Sequence, residues 1–169
     1  ISTDKFPSVI DDDTLAHRIK VMTTFFQQST WLAPLPIEFP INDFLPPFPF
    51  DAEQGGWGTV DNIYCFGRYH LKQNEYLKIE FSSPECCYWG VQTWNYLMQS
   101  MDYRHYPVGL NKGNAIPNDE GNFTIHLSHT KMDVDNWIST AGYEEAIIFC
   151  RWLLSDELPD KPLVSLHRL

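Results

Sequence analysis

Basic residues are scarce in this sequence of 169 residues: 12 Lys and Arg stand against 22 Asp and Glu, which gives a formal net charge of −10. An acidic chain repels the phosphate backbone of nucleic acids and anionic membrane surfaces. We therefore expect no nucleic-acid partner. Long apolar runs are also missing, since the best one, residues 146–150, ends at Arg151, far short of the roughly 20 residues that span a bilayer. We expect no membrane insertion.

The motifs of several large enzyme classes are missing as well. There is no Gly-x-Ser-x-Gly elbow, no Gly-x-x-x-x-Gly-Lys phosphate loop, no Gly-x-Gly-x-x-Gly fingerprint and no His-Glu-x-x-His zinc motif. His126 and His129 are three residues apart in a predicted strand, so they point to opposite faces and do not bind one metal ion together. We predict no metal site and no cofactor.

The four cysteines have no Cys-x-x-Cys spacing. Cys86 and Cys87 are adjacent and do not easily form a relaxed disulfide with each other. We interpret all four as reduced thiols in the core, which favours a cytoplasmic location.

The N-terminal part of the chain predicts a helix and then an extended segment. Residues 11–13 are acidic and precede apolar residues at helical spacing, which predicts a helix over residues 13–29. Six prolines between residues 34 and 49 exclude a helix or a central strand, yet eight apolar residues accompany them. We predict one domain in three parts: a helical segment over 1–31, a proline-rich strap over 32–58 and a β core over 59–169.

The β core is predicted from alternating apolar and polar residues separated by turns. Strands are expected over 76–82, 88–95 and 123–128, and five or six strands in all. In the segment 145–153, residues 146–153 are apolar on both faces except for Arg151, which predicts a central strand. The fold class is therefore mainly β: an antiparallel, jelly-roll-like β-sandwich.

Several short stretches give the chain a family likeness. They lie at residues 84–89, 94–95, 102–104, 111, 120–121, 136–142 and 151–152. In order and spacing they resemble the bacterial family known as domain of unknown function 1214, over residues 60–169. Asn136-Trp137 followed by Thr140-Ala141-Gly142 is the most specific part, whereas Tyr143 replaces a histidine that often follows Ala-Gly. The resemblance implies a β-sandwich-like domain and no agreed activity or catalytic residues.

Arg151 is the most pointed candidate for a binding residue. A guanidinium on a buried central strand needs an anion or several carbonyl groups as partners. Two interpretations stay open at this stage. Either Arg151 pairs internally with an acidic residue, or it faces a cleft and binds the carboxylate, sulfate or phosphate of a ligand. The internal candidates are Asp102, Asp133, Asp135 and Glu144.

A second group of candidates lies in a tyrosine-rich segment. Asp102 and His105 are an acid–base pair, with Arg104 as a neighbouring cation, although a loop salt bridge explains them equally well. Aromatic residues could stack a ligand or simply fill the core. The further ligand-binding candidates are Arg104, Trp94, Tyr103, Asn136 and Trp137.

Three functions remain open. The leading hypothesis is a small-molecule-binding or accessory domain with an aromatic cleft and a buried arginine for an anionic group. The second is an enzyme that uses Asp102 and His105 on such a ligand, with Arg151 stabilising charge. The third is a structural subunit whose apolar strap packs against a second copy in a homodimer.

Overall fold

The structure is a computed structural model that describes residues 10–32, with side chains to residue 27, and residues 39–51, 53 and 58–169. Contacts divide the chain between Pro36 and Ile37 into two units. One helix belongs to the first unit and all the strands belong to the second, and each unit is described by itself. The predicted three-part division of the chain stays a prediction.

Helix α1 spans Asp12–Leu32, which confirms the predicted helix and extends it at both ends. Asp11 caps it, because its Oδ1 accepts a hydrogen bond of 2.8 Å from the backbone N–H of Thr14. The hydrogen bonds from Thr14 lower the pKa of the Asp11 carboxyl group. Within the described residues, no helix combines the length and apolarity that crossing a bilayer requires.

The second unit has ten strands among its described residues. They are β1 (Asp43–Phe44), β2 (Phe48–Pro49), β3 (Asn62–His70), β4 (Glu75–Phe81), β5 (Cys86–Trp94), β6 (Gly109–Asn111), β7 (Phe123–Ser128), β8 (Trp137–Ser139), β9 (Glu145–Ser155) and β10 (Leu163–Arg168). Sheet 1 has the order β1-β3-β9-β5-β6, and β2 also pairs with β3. Sheet 2 has the order β10-β4-β7-β8, in which only the β7–β8 pairing is parallel.

The two sheets pack face to face, which confirms the predicted β-sandwich. Alternate residues of each strand point inward, so Trp89 of sheet 1 meets Phe81 and Phe123 of sheet 2 at centroid distances of 5.0 and 4.6 Å. The predicted central strand is confirmed too, since β9 pairs with β3 on one side and β5 on the other. The predicted strand count was too low, because β6 and β8 have only three residues each.

The predicted strap falls partly within the described residues. Residues 39–51 contribute β1 and β2, which pair with β3 at the edge of sheet 1. Pro49 is accommodated in β2 because an edge strand can lack one backbone donor. Residues 33–38, 52 and 54–57 of the strap lie outside the described residues.

Three of the four cysteines lie in the core as predicted. Cys65 and Cys150 are opposite each other on β3 and β9, and burial raises the pKa of the Cys150 thiol. Cys86 is also buried. The prediction is wrong for Cys87, which is exposed because it falls on the other face of β5 near the start of that strand.

Candidate functional site

Arg151 extends from the outer face of β9, where the register places it between Tyr64 of β3 and Gly90 of β5. Its side chain is exposed, so the prediction of a buried arginine is wrong. The physical reason is local: Arg151 faces away from the core, and Gly90 beside it has no side chain that could cover it. The guanidinium carbon lies 5.3 Å from the ring centroid of Tyr88, which is a cation–π contact.

Arg151 has no anionic partner within the described part of the chain. None of the four acidic residues considered from the sequence forms an ion pair with it, and Asp102 pairs instead with Arg104 and His105. The guanidinium donates no hydrogen bond within that part either. Its five N–H donors are therefore available to a ligand.

A cavity lies beside Arg151 on the outer face of sheet 1, and two glycines are among the residues that line it. Gly90 of β5 pairs with Asn111 of β6, and Gly109 of β6 pairs with Gln92 of β5, so the two glycines lie diagonally across this strand pair. Neither glycine could carry a side chain without a close contact. A Cβ atom at Gly90 would lie 2.6 Å from the hydroxyl of Tyr88, and one at Gly109 would lie 3.0 Å from Cβ of Gln92. The cavity beside Arg151 has a volume of about 250 Å³.

A turn after β5 supplies the far wall of this cavity. The carbonyl oxygen of Asp102 accepts hydrogen bonds from the backbone N–H groups of His105 and Tyr106, at 3.2 and 3.0 Å, so residues 102–106 form a helical turn. Tyr103 and Tyr106 are three residues apart and lie on one side of it. We call the cavity the Arg151 cleft. Its principal lining side chains are Tyr88, Gln92, Tyr103, Tyr106, Phe149 and Arg151.

The predicted catalytic pair is formed, but it does not line the cleft. Nδ1 of His105 lies 2.7 Å from Oδ2 of Asp102, and Nε of Arg104 lies 3.3 Å from Oδ1 of Asp102. The hydrogen bond from His105, followed by those from Arg104, lowers the pKa of the Asp102 carboxyl group. All three side chains are exposed and absent from the cleft lining. They form the loop salt bridge that the sequence offered as the alternative.

Asn136 and Trp137 lie at sheet 2, away from the lining of the Arg151 cleft. The buried amide of Asn136 donates to the carbonyl oxygens of Ile116 and Thr124, at 2.7 and 3.1 Å, and accepts a bond of 2.8 Å from the N–H of Ile116. Trp137 donates from Nε1 to Oγ of Ser128 at 2.8 Å. Both side chains are used by hydrogen bonds within the fold.

Trp94 contacts one of the residues that line the cleft. Its ring stacks on the ring of Phe149 with centroids 4.2 Å apart and an interplanar angle of 20°, and Phe149 in turn lines the cleft. Of the predicted ligand-binding residues, the structure thus brings Arg151 and Tyr103 to one cavity and places Trp94 next to it.

Five residues of the cleft that matter to its shape or chemistry were not predicted as site residues from the sequence: Gly90, Gln92, Gly109, Asn111 and Phe149. A glycine inside a strand often marks a close approach of a ligand or of another chain segment, so Gly90 within the predicted strand 88–95 was the available signal. The diagonal relation of the two glycines depends on strand register and had no signal in the sequence.

A second cavity of about 420 Å³ lies on the outer face of sheet 2. Its lining includes His126, Asp133, Asp135 and Asn136. Burial is the main cause that lowers the pKa of the His126 imidazole. In the described ranges no three His, Cys, Asp or Glu side chains converge as metal ligands would. This cavity offers no cation in its lining, so the Arg151 cleft is the better candidate site.

Comparison with known proteins gives structural relatives only. The chain is similar to an uncharacterized protein from Burkholderia cenocepacia, with a TM-score of 0.81 and 28% identity over 99% of this chain and 47% of that one. It is also similar in fold to the VPA0106 protein from Vibrio parahaemolyticus, with a TM-score of 0.52 and 12% identity over 96% of this chain and 47% of that one. The chain thus spans about half the length of these two proteins. No family model and no curated protein matches the sequence.

Proposed function

We propose that this domain binds a small, partly apolar organic anion in the Arg151 cleft. The observation that carries the proposal is a guanidinium in the wall of a cavity with no acidic partner among the described residues. Arginine binds carboxylate and phosphate groups through two parallel hydrogen bonds, and aromatic side chains around it take the apolar part of such a ligand. The residues that support this are Tyr88, Phe149 and Arg151.

Binding is favoured over catalysis by the position of the acid–base pair. Asp102 and His105 are joined to each other, but neither lines the cleft, and proton transfer needs hydrogen-bond reach to the substrate. The enzyme hypothesis is therefore the weaker proposal. Membership of the family domain of unknown function 1214, the jelly-roll type of the sandwich and a homodimer likewise stay proposals from the sequence.

The test compares Arg151 with Arg104, the other arginine that the sequence offered for fixing an anionic group. The probe is benzoate, a small aromatic carboxylate, measured by thermal shift and by calorimetry. A ligand at 100 times its dissociation constant stabilises the folded state by about 2.7 kcal/mol, which raises the Tm by roughly 5–10 °C at this size. We expect Arg151→Met to abolish this rise.

Arg104→Met is the matched control, because it removes the same charge from an exposed turn residue that is outside the cleft lining. It should leave the rise in Tm unchanged. Loss of benzoate binding in Arg104→Met, with binding retained in Arg151→Met, would move the anion site to the turn and contradict the proposal. Absence of binding in the unaltered protein would contradict it too.

A further inference from the structure

The polar groups of the Arg151 cleft both donate and accept hydrogen bonds, which is more than a simple carboxylate needs. The amide of Gln92 and the hydroxyl of Tyr88 have no hydrogen-bond partner among the residues the structure describes. Asn111 uses Oδ1 to accept from the N–H of Gly113 at 2.8 Å, which leaves its Nδ2 donor without a partner there. Amide and hydroxyl groups of this kind match the hydroxyl groups of a ligand, each of which donates one bond and accepts others.

The two tyrosines of the far wall present ring surface to solvent. Tyr103 is 74% exposed and Tyr106 is 45% exposed. The face of an aromatic ring is negative and attracts the positively polarised hydrogens of an approaching C–H surface. A saturated ring with axial C–H groups, as in a pyranose, can pack these C–H groups against the tyrosine rings. Its hydroxyl groups can then bind the amides of Gln92 and Asn111.

The size of the cleft agrees with a single ring that carries one acidic group. A cavity of about 150 Å³ already holds benzene, and the Arg151 cleft has about 250 Å³ and is open to solvent. Gly90 and Gly109 also line it, and the Tyr88 hydroxyl and the Cβ atom of Gln92 occupy the space beside these two glycines. One cation, Arg151, serves one carboxylate.

We infer that the Arg151 cleft binds a sugar acid, a pyranose whose carboxylate pairs with Arg151 and whose hydroxyl groups bind Gln92 and Asn111. This inference rests on the proposed function and names the ligand class for the same site. It differs from a plain aromatic carboxylate in requiring the two amides, and from a neutral sugar in requiring the arginine.

The experiment is calorimetric titration of the protein with three probes: glucuronate, glucose and benzoate. We expect glucuronate to bind about tenfold or more tightly than glucose, because glucose has no carboxylate to pair with Arg151. We expect it to bind about tenfold more tightly than benzoate, because benzoate has no hydroxyl groups to bind Gln92 and Asn111. Gln92→Leu replaces the amide by an apolar side chain of similar volume, so it should weaken glucuronate binding by about tenfold more than it changes benzoate binding. Retained benzoate binding also shows that the variant folds and keeps its cleft.

The outcomes separate this inference from the proposed function. If benzoate binds as tightly as glucuronate and depends on Arg151, the sugar-acid inference is wrong and the proposed function stands. If glucose matches glucuronate and Arg151→Met changes neither, or if no probe binds, both are wrong. Comparison of a galacturonate trimer with free galacturonate identifies the source of the ligand. Binding of the trimer at least as tight as that of free galacturonate indicates the end unit of a chain, and weaker binding indicates the free sugar acid.

Discussion

Ala141 and Gly142 form the turn after β8 with positive φ angles of 50° and 87°. A residue with a side chain costs roughly 1–2 kcal/mol in this region. A Cβ atom at Gly142 would meet nothing within 4 Å, so Gly142→Ala tests backbone conformation without a clash. We expect it to lower the Tm by about 2–8 °C in a calorimetric scan, because 1 kcal/mol corresponds to roughly 2–4 °C at this size.

Ala141→Gly is the opposite change in the same turn. It removes the side chain that is strained at positive φ but adds freedom to the unfolded chain, so its Tm should equal or exceed that of the unaltered protein. A Tm for Gly142→Ala that is not below that of Ala141→Gly would show that this turn does not impose the left-handed conformation.

Asp102 gives a prediction on pH in the turn formed by residues 102–106. Its pKa is lowered mainly by the hydrogen bond from His105, so its ionised form is favoured in the folded protein. The stabilisation of this turn is present above the ordinary pKa of an aspartate and is lost as the pH falls through the lowered value. We expect His105→Ala to raise the pKa of Asp102 in a carboxyl NMR titration. Arg104→Ala should raise it less, and an unchanged pKa in both variants would contradict the assignment.

The sequence identified a single site residue only where that residue interrupts a regular hydrophobic pattern. Arg151 was found because it is the one charge in an apolar run, and the structure places it at a cavity. The absence of an acidic partner, and the hydrogen bond that ties His105 to Asp102, follow from contacts between residues distant in the chain or from turn geometry. Neither feature could be derived from the spacing of residues in the sequence.

The side chain of Asn136 links parts of the fold and does not bind a ligand, and this role can be tested. Its side chain satisfies both backbone groups of Ile116 and the carbonyl oxygen of Thr124 on β7. Asn136→Ala removes these three part-buried hydrogen bonds, each of which contributes a net of about 0.5–1.5 kcal/mol. We expect urea unfolding to show a loss of at least about 2 kcal/mol. Benzoate binding to the folded variant should be unchanged, whereas reduced binding at full stability would restore Asn136 as a ligand-binding residue.

Elements were predictable where their periodicity was long. β4, β5, β7 and β9 have between six and eleven residues, and alternation or an all-apolar run indicated each of them. β6 and β8 have three residues each, too few for a period of two to stand out. Of these two short strands, β6 matters to the site, because it supplies Gly109 and Asn111 to the cleft.

The net charge of −10 is a property of the whole molecule, and it sets the last prediction. Acidic residues outnumber basic ones by ten, and the six ion pairs described in the structure are mostly exposed and therefore worth little. Mutual repulsion of the excess carboxylates destabilises the folded state, and salt screens it. Raising the NaCl concentration from about 10 mM to about 150 mM shortens the screening length from roughly 30 to 8 Å, and we expect the Tm to rise by about 2 °C.

A matched variant distinguishes repulsion from a general effect of salt on protein hydration. Asp119→Asn together with Glu157→Gln changes the net charge from −10 to −8, since −10 + 2 = −8, and neither side chain forms an ion pair in the described residues. If repulsion is the cause, this variant starts with a higher Tm at low salt and gains less from added NaCl. An equal gain in both proteins would instead mean that NaCl acts on hydration and that the acidic composition has little influence on stability.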